Sequence, residues 1–328
     1  MTATDRIQAL IAAARSVAGD DALRAAVAES TGLSRPNVDL AFERHLELDP
    51  SAADLALLVE RAGAAEAVQV VLSANVFVGA LRAVALALAA TPDVVVRPSR
   101  RDPAFAIALC RAASVPLIEE LEVEAVTCGE IHVYGKDDTI ADIRKRASVP
   151  VKGHGTGMGV ALVTANVDLA TDARALADDV VIFDQRGCLS PRVVLAAESI
   201  ADDFADALHA ALEDSTIPRG AMSSEERAAS KRYVSTMSYG GRILVGHSHA
   251  VGVAKTLISC PAYRHVHVIA TDDPAAAIAP IARGVTTVGS NDLDAAKRVA
   301  PSWARVARLG AMQRPPLDGP VDLRDPSG

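Results

Sequence analysis

The stretch AVQVVLSANVFVGALRAVALALAATPDVVVRPS, residues 67–99, decides the fold class of this 328-residue chain. It begins with a short β-branched run, continues with an apolar segment of helical length, and ends with a second β-branched run. Continuous apolar strands separated by helices of about 10–15 residues are typical of a parallel sheet that is covered on both faces. The stretch therefore predicts a β-α-β unit within an α/β domain.

The flanking sequence extends this pattern in both directions. Residues 1–65 contain four segments with apolar residues at three- and four-residue spacing, which predicts an N-terminal group of helices. Further strands are predicted at IHVYG, GVALVTA, GRILVG, HVHVIA and VTTVG, with helices between most of them. We therefore expect two α/β domains, at 66–165 and 166–304, and a Pro- and Gly-rich segment at 305–328 that packs back on the first of them.

Composition limits the classes of function. Half of the residues are hydrophobic but only 3% are aromatic, the net charge is −8, and the Lys and Arg residues are dispersed, which argues against a nucleic-acid partner. No apolar run is long enough to span a bilayer, and the first residues lack the apolar core of a signal peptide. Four widely spaced cysteines without a CxxC pair argue against a zinc site and a disulfide framework. A cytoplasmic protein without a metal is expected.

Polar residues follow three of the predicted strands, where ligands bind in open α/β sheets. Asn75 follows the first strand, and its amide is suited to an oxyanion, although Asn is also a common turn residue. The second strand ends in Arg97-Pro98-Ser99-Arg100-Arg101, which suits a phosphate group or, alternatively, is a solvated loop. Gly135 and Lys136 precede a predicted helix, an arrangement that binds phosphate or serves only as a helix cap.

The stretch VKGHGTGMGV, residues 151–160, has four glycines at alternate positions and no GxGxxG fingerprint. It is either a flexible turn between strands or a backbone held close to a ligand. His154 within it is either a proton donor or acceptor, or a loop histidine with an ordinary structural role.

Cys188 differs from the other three cysteines in its neighbours, FDQRGCLSPR. Free cysteines are usually buried and inert, and we expect this of Cys110, Cys128 and Cys260. A thiolate stabilised by positive charge or amide donors becomes a nucleophile instead. Cys188 is therefore the candidate nucleophile, with an inert thiol as the alternative.

Taken in order, these motifs resemble the aldehyde dehydrogenase superfamily over roughly residues 65–316. The segment CLSPR is similar to the nucleophile segment of that family, and the tail ARVARLGAMQRPPLDG is closer to the acyl-CoA reductases that supply fatty aldehyde in bacterial luminescence. The resemblance implies an aldehyde dehydrogenase-like α/β fold, in which residues 66–165 bind the nucleotide and residues 166–304 are catalytic.

The resemblance also implies roles for individual residues. Cys188 would be the acyl-accepting nucleophile, and Asn75 with the backbone N–H of the cysteine would form the oxyanion hole. Arg97 stands where the family usually has a lysine on the cofactor ribose, with Ser99 after it. The turn of Gly135 and Lys136 would hold the cofactor pyrophosphate at a helix N-terminus.

Two departures from the family pattern refine the expectation. Arg100 stands where NAD-preferring members often have a glutamate, which favours NADP(H) because an arginine attracts a 2′-phosphate. His154 stands in place of the glutamate that activates water for hydrolysis of the acyl-enzyme. An enzyme that exchanges acyl groups with coenzyme A does not need that water, so the departure favours an NADPH-dependent acyl-CoA reductase.

Other interpretations stay open at this point. One is an ordinary aldehyde or semialdehyde dehydrogenase. Another is a catalytically degenerate nucleotide-binding protein, because the glutamate that usually holds the nicotinamide ribose has no clear counterpart. His247 and His249 are expected to be structural and not a metal pair. A homo-oligomer is an open expectation, since the oligomerisation hairpin of the family is not obvious.

Overall fold

The structure, a computed structural model, describes residues 1–74 and 76–327. The chain forms two compact units, one of residues 1–156 with 316–328 and the other of residues 157–315. The three-part division expected at residues 65 and 165 stays a prediction; in the structure the units divide between residues 156 and 157, and the tail from residue 316 belongs to the first unit.

The helices of the first unit begin where capping chemistry predicts. Thr2 and Ser51 each form a capping box with an aspartate three residues later, so α1 and α4 start directly after them. The helices of this unit are α1 (Ala3–Ala18), α2 (Asp21–Thr31), α3 (Arg35–Arg44), α4 (Ala52–Ala62), α5 (Gly79–Ala90), α6 (Ala104–Ala112) and α7 (Asp137–Arg146).

The predicted β-α-β unit is confirmed. Its strands are β1 (Val68–Val71) and β2 (Val94–Arg97), which pair in parallel and are joined through α5. Every residue of α5 from 80 to 89 is buried, including Arg82, because this helix packs against the sheet and also against α1, α4 and α6. The sheet is completed by β3 (Glu130–Tyr134) and β4 (Val151–His154), in the order β2-β1-β3-β4 with all neighbours parallel.

The tail, residues 316–327, is fixed to the first unit through backbone carbonyls. Arg61 and Arg82 donate to the carbonyls of residues 318 and 319, at 2.9 and 2.6 Å. The carbonyl of Pro326 also accepts the N–H of Gly153, at 2.7 Å, and a hydrogen bond from the Arg144 guanidinium. The tail therefore supplies hydrogen-bond acceptors to β4, α4, α5 and α7.

The second unit is built on a seven-stranded sheet with the order β11-β10-β5-β6-β9-β8-β7. All neighbours are parallel except the pair β7 and β8. Its strands are β5 (Met158–Val163), β6 (Pro191–Ala196), β7 (Arg242–Val245), β8 (Ala250–Ala254), β9 (His265–Ala270), β10 (Val285–Ser290) and β11 (Arg305–Arg308). Its helices are α8 (Leu169–Val181), α9 (Ala201–Glu213), α10 (Ser224–Gly240), α11 (Pro274–Ile278) and α12 (Leu293–Val299).

Alternate side chains of the central strands enter two separate cores. Ala161 and Val163 of β5 pack with α8 and α9 on one face, while Val160 and Leu162 pack with α11 and α12 on the other. Among the residues described, no helix combines the length and the hydropathy that a membrane span requires.

Candidate active site

Cys188 lies in a turn between a 3₁₀ segment, Ile182–Gln185, and strand β6 of the second unit. Its side chain is half-buried, whereas Cys110 is fully buried and Cys128 is exposed. Burial raises the pKa of Cys110 to about 12 and that of Cys260 also to about 12. All four cysteines lie in the described part of the chain and none is in a disulfide.

Hydrogen bonds fix both ends of the cysteine loop, which we define as residues 183–190. Gln185 donates its amide to the carbonyls of Pro191 and His265, at 2.6 and 2.7 Å. The Thr286 hydroxyl donates to the carbonyl of Cys188 at 2.5 Å. Such bonds to neighbouring strands hold the backbone around the thiol in one arrangement, which a nucleophile requires.

The loop begins with three consecutive non-glycine residues at positive φ. The angles are 53° for Phe183, 47° for Asp184 and 62° for Gln185. Such angles cost of order 1–3 kcal/mol per residue and persist only where the surroundings enforce them. The backbone before Cys188 is therefore strained, and specific interactions compensate for the strain.

A buried ion pair supplies part of that compensation. The Asp184 carboxylate is 1% exposed; it accepts a hydrogen bond from Nε of Arg264 at 3.0 Å, and Nη2 of the same arginine lies 2.8 Å from it in an ion pair. It also accepts the N–H of Gly220 at 2.8 Å. Arg264 donates in addition to the carbonyls of Ile217 and Pro218, at 2.7 and 3.1 Å. The sequence does not reveal this pair, because 80 residues separate its members and Arg264 belongs to none of the motifs.

Strand β5 approaches the cysteine loop closely. The N–H of Gly159 donates to the carbonyl of Ser190 at 2.8 Å, and a Cβ at this glycine would overlap the carbonyl oxygen of Leu189. A glycine of the glycine-rich stretch is thus needed for contact between backbones.

The predicted cofactor residues of the first unit lie at one edge of its sheet. Because β2, β3 and β4 are parallel, the segments that follow them meet at the same edge. Arg97 is the last residue of β2, and Ser99 and Arg100 follow it; Gly135 and Lys136 follow β3, and His154 is the last residue of β4. Asn75, which follows β1, lies outside the described residues.

The residues at the end of β2 and directly after it differ in their exposure. Ser99 is 7% exposed, and its hydroxyl accepts the N–H of Arg101 at 3.3 Å. Arg97 is half-buried, whereas Arg100 is exposed and forms an ion pair with Glu120 at 2.7 Å. A phosphate at Arg100 would therefore have to compete with a carboxylate.

The turn after β3 leads directly into α7. The N–H of Gly135 donates to the carbonyl of His154 at 3.2 Å, and exposed Lys136 is the N-cap residue of the helix. No side chain in the described part of the chain caps this N-terminus. The Asp137 carboxylate in the first turn accepts the N–H of Thr156 at 2.8 Å, so it contacts the segment that follows β4.

His154 is packed inside the first unit. Its ring stacks on that of Tyr134, with the centroids 4.4 Å apart and the planes at 12°. Burial, reinforced by nearby His132, lowers the pKa of His154 to about 3, so the imidazole is neutral at neutral pH. Its Nε2 is buried and has no hydrogen-bond partner within residues 1–74 and 76–327.

The histidines of the turn between β7 and β8 contact a neighbouring helix. Nε2 of His249 lies 2.9 Å from Nδ1 of His209 on α9. The N–H of His247 donates to the Glu213 carboxylate at 3.1 Å. Over the described residues, no three His, Cys, Asp or Glu side chains are arranged to hold a metal ion.

The family model described as "Acyl-CoA reductase (LuxC)" matches residues 59–314, which include all the candidate site residues. A comparison with curated proteins gave no significant match.

Solved structures share the fold at low sequence identity. A salicylaldehyde dehydrogenase from Pseudomonas putida is 14% identical with a TM-score of 0.73, over 94% of this chain and 78% of that one. Lactaldehyde dehydrogenase from Escherichia coli is 16% identical with a TM-score of 0.72, over 96% and 79%. An NADP-dependent glyceraldehyde-3-phosphate dehydrogenase from Bacillus halodurans is 14% identical with a TM-score of 0.72, over 93% and 78%. The expected aldehyde dehydrogenase-like α/β fold is confirmed.

Proposed function

The chain belongs to the acyl-CoA reductase (LuxC) family of aldehyde dehydrogenase-like oxidoreductases, and from this we propose that it reduces an acyl-CoA thioester to an aldehyde with NADPH. The observation that carries the proposal is Cys188, a half-buried thiol on a strained and hydrogen-bonded loop inside the matched segment. Strain held beside a nucleophile is typical of catalytic sites.

In this proposal Cys188 acts as an acyl carrier. Its thiolate attacks the thioester carbonyl, a carbon–sulfur bond to Cys188 forms, and the bond to the CoA sulfur breaks as CoA leaves and takes up a proton. When bound, the nicotinamide cofactor would supply a hydride to the acyl carbon; the carbon–sulfur bond to Cys188 then breaks, which releases the aldehyde and restores the thiolate. The tetrahedral oxyanion needs donors that are already in position, and the N–H of Cys188 is oriented because Thr286 and Gln185 hold the loop. Asn75 is proposed as the second donor, from the family resemblance alone.

Acylation tests this proposal. The wild-type chain, incubated with a radiolabelled acyl-CoA without NADPH, should retain label on the peptide that contains Cys188. Cys188→Ser should abolish the label, whereas the exposed-thiol control Cys128→Ser should retain it. Label that persists in Cys188→Ser contradicts the proposal. Turnover of free aldehyde without any acylation by acyl-CoA would instead indicate an aldehyde dehydrogenase.

The residues at the sheet edge of the first unit fit a nicotinamide dinucleotide. Arg97, Arg100 and Lys136 supply three cations, and the N-terminus of α7 directs backbone N–H groups toward the same edge. We propose that Gly135 and Lys136 hold the pyrophosphate and that Arg97 and Ser99 contact the adenosine ribose.

A preference for NADPH is proposed on the basis of Arg100. The 2′-phosphate would displace Glu120 from the guanidinium, which is favourable because a phosphate carries more charge and accepts bidentate hydrogen bonds. Titration with NADPH and NADH should show weaker NADPH binding in Arg100→Glu and little change for NADH. The matched variant Glu120→Gln should strengthen NADPH binding. An equal effect of Arg100→Glu on both cofactors would remove the basis for this preference.

Two further expectations belong to the proposal. His154 as a proton donor or acceptor requires a change in its surroundings, because its buried ring stays neutral at neutral pH. A cytoplasmic location is supported by four free thiols.

A further inference from the structure

The chain that follows strand β11 returns to the end of helix α8 in a short turn, which we define as residues 310–313. Asp179 lies in the last turn of α8 and is 2% exposed. Its carboxylate accepts the N–H of Gly310 at 2.6 Å and the N–H of Met312 at 3.1 Å. Hydrogen bonds from backbone N–H groups to a carboxylate are strong, so the 310–313 turn is fixed to α8.

The side chain of Met312 places this turn beside the cysteine loop. It is 2% exposed and lies over glycines of two paired strands, Gly159 of β5 and Gly289 of β10. A Cβ at Gly289 would overlap the methionine sulfur, and a Cβ at Gly159 would lie 2.9 Å from its methyl carbon. Because the Gly159 N–H also donates to the Ser190 carbonyl, one glycine contacts both the 310–313 turn and the end of the cysteine loop.

The side-chain amide of Gln313 connects α8 with the cysteine loop. Its Nε2 donates to the backbone carbonyl of Asp179 at 2.5 Å, and its Oε1 accepts the Ser190 hydroxyl at 3.1 Å. Gln313 is 8% exposed and Ser190 is fully buried, so this bridge is shielded from water. The bridge needs a donor at one end and an acceptor at the other, which an amide supplies and an ionised carboxylate does not.

Ser190 in turn sets the backbone around the nucleophile. Its N–H donates to the carbonyl of Gly187 at 3.2 Å, which closes a four-residue turn with Cys188 and Leu189 at its centre. Its carbonyl accepts the N–H of Gly159 at 2.8 Å. The N–H, the carbonyl and the hydroxyl of Ser190 are all hydrogen-bonded, so the turn that contains Cys188 depends on where Ser190 is held.

We propose that Gln313 is a positioning residue for Cys188 and acts through Ser190. Its amide transmits the fixed position of α8 to the turn of residues 187–190, so that the thiol keeps one orientation toward a thioester carbonyl. In this role Gln313 takes no part in bond making. The inference rests on the proposed function only for the identity of the nucleophile and for its reaction. A nucleophile misplaced by about 1 Å reacts about 100-fold more slowly where an aligned approach is required.

Hydrogen exchange tests whether the bridge holds the loop. Mass spectrometry of the full-length chain measures deuterium uptake by the peptide that contains residues 186–190. Gln313→Leu removes both hydrogen bonds of the amide at similar volume, and Ser190→Ala removes only the hydroxyl. Each variant should speed exchange of this peptide by about tenfold or more. The double variant should exchange like Gln313→Leu alone, because both changes break the same bond.

Gln8→Leu is the matched control, since it makes the same substitution at an exposed glutamine of α1, and it should exchange like the wild type. Unchanged exchange in either folded variant, Gln313→Leu or Ser190→Ala, would overturn the inference, because the bridge needs both groups. Ser190→Ala is the smaller change and keeps the test valid if Gln313→Leu does not fold.

The reaction gives a second readout, which a structural role alone would not produce. In Gln313→Leu the maximal rate of acylation by a radiolabelled acyl-CoA should fall by about tenfold, at an unchanged half-saturating concentration of acyl-CoA. Alkylation of Cys188 by iodoacetamide should change by less than about twofold, because this small reagent reaches a thiol from several directions. Equal losses in the two reactions would indicate a general loss of structure and would overturn the positioning role.

Failure of the proposed function would give a different result. A wild-type chain that is not acylated, with faster exchange in both Gln313→Leu and Ser190→Ala, would contradict the acyl-CoA reductase and support the bridge. Acylation at the same rate in the wild type and in Gln313→Leu would support the reductase and overturn the positioning role.

Discussion

The ion pair between Asp184 and Arg264 predicts a large and non-additive loss of stability when one partner is removed. In Arg264→Met the Asp184 carboxylate, 1% exposed, loses its ion pair and the charge-assisted hydrogen bond from Nε of Arg264; among the described residues it keeps the hydrogen bond from the Gly220 N–H. Breaking a buried pair from one side costs about 3–5 kcal/mol. A single domain is stable by roughly 5–15 kcal/mol, so the variant should lose a large fraction of its free energy of unfolding.

The reciprocal variant should be less damaging. In Asp184→Asn the guanidinium keeps the carbonyls of Ile217 and Pro218, and the new amide oxygen still accepts one hydrogen bond. The expected cost is about 1.5–3 kcal/mol. The double variant Asp184→Asn with Arg264→Met should cost less than the two single changes together, by about 1–3 kcal/mol, because no charge remains buried.

Trp303 makes the measurement specific to the second unit. It is the single tryptophan of the chain and lies in that unit, where its indole N–H donates to the Val285 carbonyl at 3.1 Å. Urea unfolding followed by its fluorescence gives the free energy of unfolding of each variant. A loss below about 1 kcal/mol in Arg264→Met, or strict additivity in the cycle, would refute the argument that this pair stabilises the loop.

Three further predictions follow from the glycine contact and from two buried titratable groups. In Gly159→Ala the new Cβ meets the Leu189 carbonyl, so acylation of Cys188 should slow by about tenfold or more. The control Gly284→Ala has open space around the new Cβ and should be acylated at the wild-type rate. Equal acylation rates in the two variants would contradict the contact. Burial raises the pKa of Asp179 from 3.8 to about 7, so its contribution to stability is fully present below pH 3.8 and is lost as the pH rises to 7. The free energy of unfolding of Asp179→Asn, followed by tryptophan fluorescence, should rise relative to that of the wild type by up to about 4 kcal/mol between pH 3.8 and 7. A difference between the two proteins that does not change with pH would contradict this. His154 should show the opposite pH dependence, because its pKa of about 3 in the folded protein lies below the ordinary 6.5. Its contribution to the free energy of unfolding is present above pH 6.5 and is lost as the pH falls to 3. Thermal unfolding followed by circular dichroism should therefore show that His154→Gln is less sensitive to acid than the wild type, and equal sensitivity would count against a buried neutral ring.

The sequence predicted strands and helices correctly where the local residue pattern matches the burial of the element. The β-α-β unit around α5 was predicted because β-branched runs flank a fully apolar helix, and both features are local. Strands β4, β6, β8 and β11 were missed. Short runs such as AVGVA in β8 are buried throughout, so they lack the alternation that distinguishes a strand from a helix.

The candidate site likewise has a part that the sequence predicts and a part that it does not. Cys188 could be chosen from its neighbours in the sequence and from the order of the other motifs. Its supporting contacts could not, because Arg264 and Thr286 come from segments 76 or more residues further along the chain. The role of Asn75 stays a prediction.

The tail has a consequence for the order of events during synthesis. Residues 316–327 contact strand β4 and helices α4, α5 and α7, yet they leave the ribosome only after the whole of the second unit. The second unit is continuous in sequence and can fold as soon as it emerges, whereas the first must wait with the guanidinium of Arg82 lacking its acceptors at residues 316 and 319. During that interval the nascent first unit is the part of the protein most exposed to chaperones and proteases.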